Sequence, residues 1–446
     1  MRDIIVTLII LGALPLVLKH TYVGVLLWSW ISYMNPHRLT WGFAYSFPFA
    51  MIVGITTLLS LFTSRDSRRM PWTPITVVLL VFALWTSFTT LFAIAPDDAF
   101  KEWDRFIKIC LMTFVTLLVI VERRQLDALV WVVVLSLGFY GVKGGIFTLL
   151  TGAQYQVLGP EGSFFSENNE MAFTLVMFFP LMRYLQLQSE SRLVRLCFSG
   201  AMIFTVFAIL GSYSRGAFLA VSVMAIFMTI KSRKKLLVTL IALLLVPIAI
   251  SFMPEKWHQR IETIETYQED RSAMGRINAW IVSINIAKAH PIVGGGFGAF
   301  DRNYYGPYLP KGFDPYVDPI AGDVHSIYFE VLGEHGIIGL ILFLTLGLLT
   351  FRTGTWVIWH TRKRPDLFWA RDLASMIQVS LVGYAVGGAF LGLAYFDLFY
   401  TLVALQVCTQ QIVRRELGLA PPLRERQDAV GRPAGAASQG VGHRAG

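Results

Sequence analysis

Charge is what this chain has least of. Only 15% of its 446 residues are Asp, Glu, Lys or Arg, against 55% hydrophobic and 14% aromatic residues. So little charge excludes a water-soluble globule, because no single core can hide that much apolar side chain. Cysteine is almost missing as well. Cys110, Cys197 and Cys408 lie far apart with no CxxC spacing, which excludes a disulfide framework and a cysteine metal site. There is no DxD pair of the kind that holds a metal-bound sugar nucleotide, no HExxH and no Walker loop. Asp314, Asp318 and Asp323 have a proline-broken spacing without an EF-hand pattern. These absences point to chemistry that uses no metal, no cofactor and no ATP, with an energy-rich donor, a lipid diphosphate, arriving in the membrane itself.

What is present is a series of long apolar runs. A span needs about 20 mostly apolar residues, and such runs occur near 43–62, 72–94, 106–121, 127–150, 171–187, 196–211, 216–230, 236–253, 326–350, 373–393 and 398–413. The first thirty-four residues add one or two more, split by Lys19 and His20. The expectation is an all-α polytopic membrane protein of about 12–13 transmembrane helices. The start, MRD followed by an apolar run, lacks a small-residue cleavage site and is expected to stay attached.

The formal net charge of +9 does not indicate nucleic acid, because the basic residues cluster in short loops: Arg65/Arg68/Arg69, Arg123/Arg124, Arg192/Arg195, Lys231/Arg233/Lys234/Lys235, Arg362/Lys363/Arg364 and Arg414/Arg415. The positive-inside rule makes those loops cytoplasmic. The segments between them then face outward: 151–170, the turn GSYSRG (211–216), a large loop 254–325 and the turn AYFD (394–397). The organisation expected is N-terminal transmembrane helices over 1–253, a periplasmic loop over 254–325 and C-terminal transmembrane helices over 326–413. A Pro/Gly/Ala/Arg-rich tail, 414–446, reads as disordered and cytoplasmic. In the large loop, Trp257, Ile261, Ile264 and Tyr267, and then Ile277, Trp280, Ile281 and Ile284, recur at helical spacing. Two amphipathic helices along the membrane surface are the expectation.

Titratable residues gather where that loop meets a span, in DVHSIYFEVLGEHGIIGL (323–340). On a helix His325 shares a stripe with Phe329, Leu332, Gly336 and Gly339, where it either caps the helix at the interface or serves as a general base near neutral pH. His335, Glu330 and Glu334 either orient a site or cap helices. Arg215, between two uncharged runs, is either a snorkelling arginine or an outward anion site. Arg276, in RINAW (276–280), is either a headgroup anchor or a forked phosphate ligand. Gly294 and Gly296, in GGGFG (294–298), form a turn or present amides to an anion. Asn168, Asn169 and Glu170 stand directly before a span, where helix capping is the usual role.

These residues resemble a known pattern. HSIYFEVLGEHGIIG (325–339) is similar to the motif of bacterial O-antigen ligases: His, then Asn/Ser/Gln, nine residues, Gly, two residues, Gly/Thr/Tyr. SRGA (214–217) resembles the family's outward arginine, and RINAW in part its loop arginine followed by Leu four residues on, with Trp280 in that place. AHPIVGGGFGAF (289–300) resembles its PxxGxGxxxF segment, and FSENNEMA (165–172) its Asn-containing loop. The segments 1–3, 22–38 and 41–49 look like the O-glycosylation ligases associated with exosortase A systems. The resemblance implies a GT-C-like helical fold in the inner membrane. It also implies transfer of a glycan from undecaprenyl diphosphate to an acceptor hydroxyl on the periplasmic side, by inversion and without metal. His325 would be the general base and Arg215 and Arg276 clamps on the diphosphate, with Asn169, Gly294, Gly296 and Glu334 also touching substrate. A Wzy-type polymerase would use the same chemistry with a glycan acceptor. A transporter would instead show midplane charges and repeats, and a non-catalytic scaffold or sensor would use the loop only for docking.

Overall fold

The computed structural model describes residues 1–64, 66, 68–231, 235–262, 271–301, 303–314, 318–320 and 323–421. Arg65, Ser232, Arg233, Lys234, Ile264, Tyr267 and the tail beyond 421 lie outside them. The described residues form helices and connecting turns, with no strand. The helices in chain order are α1 (Arg2–Lys19), α2 (Thr21–Met34), α3 (Phe49–Thr63), α4 (Pro74–Thr90), α5 (Pro96–Val119), α6 (Arg123–Leu150), α7 (Asn168–Gln188) and α8 (Arg192–Leu210). They continue as α9 (Arg215–Lys231), α10 (Lys235–Ser251), α11 (Glu255–Glu262), α12 (Arg271–Ala289), α13 (Ile327–Thr361), α14 (Phe368–Gly387) and α15 (Asp397–Glu416). The N-terminal apolar stretch is thus two helices, parted at His20.

Local chemistry sets several of these boundaries. Proline, whose fixed φ suits the first helical turn and whose missing N–H costs nothing there, opens α4 and α5. Thr73 caps α4 by accepting from the Thr76 amide, and Glu122 with Gln125 forms a capping box on α6. α6 and α8 approach closely because α6 offers small residues. A Cβ added at Gly145 would stand 2.0 Å from the Phe204 carbonyl oxygen. α7 is buried on all sides from Met171 to Met182, as is α15 from Leu402 to Thr409, so these two form the centre of the bundle. Outer helices reverse the pattern of a soluble protein. Ile4, Leu8, Leu240, Leu244, Ile341 and Leu348 are all more than half exposed, a belt that only lipid accommodates. Among the described residues three helices, Arg123–Leu150, Arg192–Leu210 and Ile327–Thr361, are long and apolar enough to cross a membrane, and Phe49–Thr63 and Pro74–Thr90 are shorter apolar helices. This is a membrane protein.

Two expectations about the large loop change. The described helix of its first half is α11, and α12 buries Gly275, Ala279, Val282, Ser283 and Ile286 while Ile277, Ile281 and Ile284 are only half-buried. Small residues let α12 pack against α13, so the contact side is not the isoleucine stripe read from the sequence. α13 also runs eleven residues past 350, to Thr361, with a break at Gly336.

Candidate active site

The break in α13 positions everything around it. Gly336 has φ 67° and ψ −169°, a conformation open to glycine and costly for other residues. A Cβ there would also stand 2.2 Å from the Ile292 carbonyl oxygen. Into this gap fits the turn 291–298, whose Gly294, Gly296 and Gly298 all have positive φ. The Gly294 amide donates to His290 O, Gly295 to Gly333 O and Gly296 to Glu334 O, each at 2.8 Å, and the Ile337 amide donates to Pro291 O at 3.0 Å. The Gly298 amide donates to Glu334 Oε1 at 3.0 Å. Gly294 therefore spends its amide on the His290 carbonyl, Gly295 and Gly296 on α13 carbonyls and Gly298 on the Glu334 side chain, which corrects the expectation that Gly294 and Gly296 offer N–H groups to an anion. His335 is structural in the same way. Its Nδ1 lies 2.7 Å from Thr89 Oγ1, its carbonyl accepts from Trp85 Nε1 at 3.0 Å, and its ring packs edge-on against Phe297 at 4.5 Å.

His325 is not on the helix. Its φ is +48°, Ser326 occupies the N-cap position of α13, and the stripe with Phe329, Leu332 and Gly339 does not form. Nor does its imidazole cap the helix, because the buried Nδ1 has no hydrogen-bond partner and the nearest acid, Asp323 Oδ2, stands at 3.9 Å. A left-handed backbone at a non-glycine residue costs about 1–3 kcal/mol and persists where neighbours over-determine it. Here they do. Trp280 Nε1 donates to Val324 O at 2.9 Å, and the Ile327 amide donates to Gly388 O at 2.8 Å. Trp280 also stacks on Phe329, with ring centres 5.1 Å apart. Burial lowers the His325 pKa, with Arg276 adding to that effect and Asp323 and Glu167 opposing it. A ring whose ordinary value is about 6.5 is therefore held neutral at pH 7.

His325 lines a cavity of about 310 Å³ together with Glu102, Glu167, Glu170, Asp323, Glu330, Arg105 and Tyr395. Four parts of the chain meet here: the start of α5, the start of α7, the 323–330 corner and the turn between α14 and α15. That turn is tied down by the Ala394 amide, which donates to Glu330 Oε2 at 3.2 Å. Arg105 lies over the Phe164 ring at 5.0 Å and steadies the 162–166 wall. On the cavity wall, His325 Nδ1 and Glu170 Oε2 are buried without hydrogen-bond partners, as is Ser326 Oγ beside them, while the Tyr395 hydroxyl is directed at the Glu334 carboxylate. Burial and the nearby Glu334 and Glu330 carboxylates raise the Tyr395 pKa, so its hydroxyl is a fixed proton donor. Orphaned buried polar atoms are rare and costly. Several at one cavity mark a place where an outside molecule completes the bonding. A carboxylate-rich wall suits the hydroxyls of a sugar, which donate to carboxylates, better than it suits a diphosphate.

The other expected residues are near but not on this wall. Arg276 lies one turn before Trp280 on α12 and acts electrostatically on both His325 and Glu170. Arg215 opens α9 beside the same α14–α15 turn, where a Cβ on Gly216 would stand 3.1 Å from Phe390. Asn168 Nδ2 donates to Ser212 O at 2.8 Å, joining α7 to the 211–214 turn that leads into Arg215. Asn169 is half-buried in the first turn of α7. None of Arg215, Arg276, Asn169 and Glu334 lines the cavity. Sequence reasoning missed Glu102, Arg105, Glu167 and Tyr395. A signal for the first two was available: the charged stretch PDDAFKEWDRFIK (96–108) lies between the basic loops at 65–69 and 123–124, so the same alternation that placed the other outward loops also turns its start outward.

Comparison with known proteins divides the chain in two. Residues 200–344 match the model of the family described as O-antigen ligase. Residues 1–190 match a family of unknown function, DUF5935. No curated protein matches the chain. The first match contains Arg215, Arg276, His325 and Glu334, and it supports glycan transfer of the ligase or polymerase kind, from a lipid-linked donor to an acceptor. The second contains Glu102, Arg105, Glu167 and Glu170, so the cavity draws its wall from both matched segments and from the 392–396 turn, which lies outside them.

Proposed function

We propose that this protein transfers a glycan from undecaprenyl diphosphate to an acceptor hydroxyl at the outer face of the bacterial inner membrane, with His325 as general base. The carrying observation is the His325 imidazole: neutral, half-buried, with its Nδ1 lacking a hydrogen-bond partner, and held off the helix at the edge of a carboxylate-lined cavity. The sugar at the reacting end of the donor would occupy that cavity, hydrogen-bonded to Glu170, Glu330 and the Tyr395 hydroxyl. Arg215 and Arg276, at the same end of the bundle but off the cavity wall, would hold the diphosphate as planar forks.

The step is one displacement. The acceptor oxygen forms a bond to the anomeric carbon as the bond from that carbon to the diphosphate oxygen breaks, inverting the centre. The acceptor proton passes to His325, and the growing negative charge on the leaving diphosphate is met by the guanidinium groups. Asp323, 3.9 Å from Nδ1, favours the imidazolium that results. The orientation follows from the basic connections at the opposite end of the bundle, which the positive-inside rule assigns to the cytoplasm. The test is to give the purified protein a lipid-diphosphate glycan and an acceptor. Release of undecaprenyl diphosphate that depends on the acceptor supports the reading, whereas binding without release assigns a scaffold or carrier role.

A further inference from the structure

A second cavity, of about 580 Å³, lies at the opposite end of the molecule, where α4, α13 and α15 meet the 69–73 and 419–421 segments. Arg69, Arg352 and Arg414 line it with Trp72, Trp356 and Gln410, and no Asp or Glu does. Arg69 NH1 donates to Pro421 O at 3.0 Å. Among the described residues the side chains of Arg352 and Arg414 make no hydrogen bond or ion pair. Arg352 is the unusual one. It precedes the end of α13 by nine residues, about 14 Å at 1.5 Å per residue, inside a helix that is apolar enough to span. It continues the exposed stripe of Ile337, Ile341, Leu344 and Leu348 at helical spacing, so its side of α13 faces lipid. An arginine at such a depth is costly unless it finds an anion.

We propose that this cavity binds one anionic phospholipid. Its phosphate would sit among Arg69, Arg352 and Arg414, its headgroup against Trp72 and Gln410, and its acyl chains along the α13 stripe beside the exposed Val77, Val81 and Leu84 of α4. Basic pockets between membrane helices recognise such headgroups. The apolar stripe running away from Arg352 selects a lipid over a free phosphate, which has nothing to place there. The site lies apart from the glycan cavity and does not rest on the proposed transfer.

The experiment uses the full chain reconstituted in mixed vesicles of phosphatidylglycerol and phosphatidylcholine, then extracted into detergent, with the lipid retained per chain read by native mass spectrometry. The expected result is one phosphatidylglycerol per chain, in preference to phosphatidylcholine. Arg352→Gln and Arg414→Gln each lower retention about five-fold, the loss of one such contact. The pair Arg362→Gln with Lys363→Gln removes charge from the same end outside the cavity and leaves retention unchanged. Equal loss from that control pair would reduce the effect to general charge, and displacement by inorganic phosphate would make this a free-anion site. Either overturns the proposal. If the arginine variants fail to insert, the unmodified chain still decides, since equal retention of phosphatidylcholine contradicts it.

Discussion

The two ends of the helix bundle handle polar groups in opposite ways. At the basic end they are largely paired. Arg68 donates to the Ser60 and Ser64 carbonyls, Arg415 to the Val121 carbonyl, Arg123 pairs with Asp127, Tyr184 donates to Asp127, and Arg364 forks onto Asp366. Two guanidinium atoms there make no hydrogen bond, Arg68 Nε, whose group bonds through NH2, and Arg371 NH2, which stands 3.5 Å from Asp372 Oδ1. At the other end, His325 Nδ1 and Glu170 Oε2 stand unpaired on the wall of one cavity, with Ser326 Oγ unpaired beside them. A fold that satisfies arginines at one end had the means to satisfy the other, so unpaired groups there read as reserved for substrate. The 352–414 cavity is the exception at the basic end, and it is the one assigned a ligand of its own.

Changes at the cavity end should break this contrast most severely. His325→Ala is expected to lower transfer roughly 10²–10⁴-fold, the usual share of a general base, with donor binding intact by equilibrium titration. Arg276→Lys and Arg215→Lys keep charge but lose the fork, so transfer should fall about ten-fold or more and donor binding should weaken with it, as expected of charge-assisted bonds worth roughly 1.5–3 kcal/mol. Gly336→Ala tests the scaffold rather than the chemistry. With φ at 67° and a carbonyl 2.2 Å from the new Cβ, it should destabilise by at least about 1–3 kcal/mol, read as a lower melting temperature together with reduced transfer per inserted molecule.

A finer test is pH. Because burial lowers the His325 pKa, the active neutral base is lost only as pH falls below about 6.5, so kcat/KM should be flat near pH 7 with an acid limb beneath it. The sign for stability agrees: a histidine depressed on folding contributes stability above its unfolded pKa and loses it as pH falls. Asp323→Asn removes a neighbour that raises the pKa and should move the acid limb lower still. The smallest change belongs to the basic end, where Arg364→Gln removes an exposed pair with Asp366 and should alter neither transfer nor melting measurably. Activity is also expected to survive chelation. Loss with EDTA and recovery with one divalent ion would redirect attention to Asp314, Asp318 and Asp323.

The all-helical class and most helix positions were legible because apolar runs set them directly. The split at Lys19 and His20 was visible as an interruption. What escaped was conformation that only tertiary contact decides. His325 lies one residue before Ser326 in a run that reads as helix, and only the tethers through Val324 and Ile327 pull it into the left-handed region. The glycines of 294–298 announced a turn, but the Gly295 and Gly296 amides reach the Gly333 and Glu334 carbonyls only because Gly336 breaks a helix some forty residues later. Glu102 and Tyr395 reach the cavity from segments distant in sequence, and no local pattern joins them.

The central claim is that His325 takes a proton, and His325→Gln tests it most directly. Glutamine can accept a hydrogen bond but cannot take a proton at neutral pH, so it preserves a structural role and removes a catalytic one. Measured as transfer per correctly inserted molecule at pH 7, with donor binding followed in parallel, the variant should bind donor normally and lose transfer about as fully as His325→Ala, roughly 10²–10⁴-fold. Near-normal transfer by His325→Gln would contradict the account and remove His325 from the chemistry.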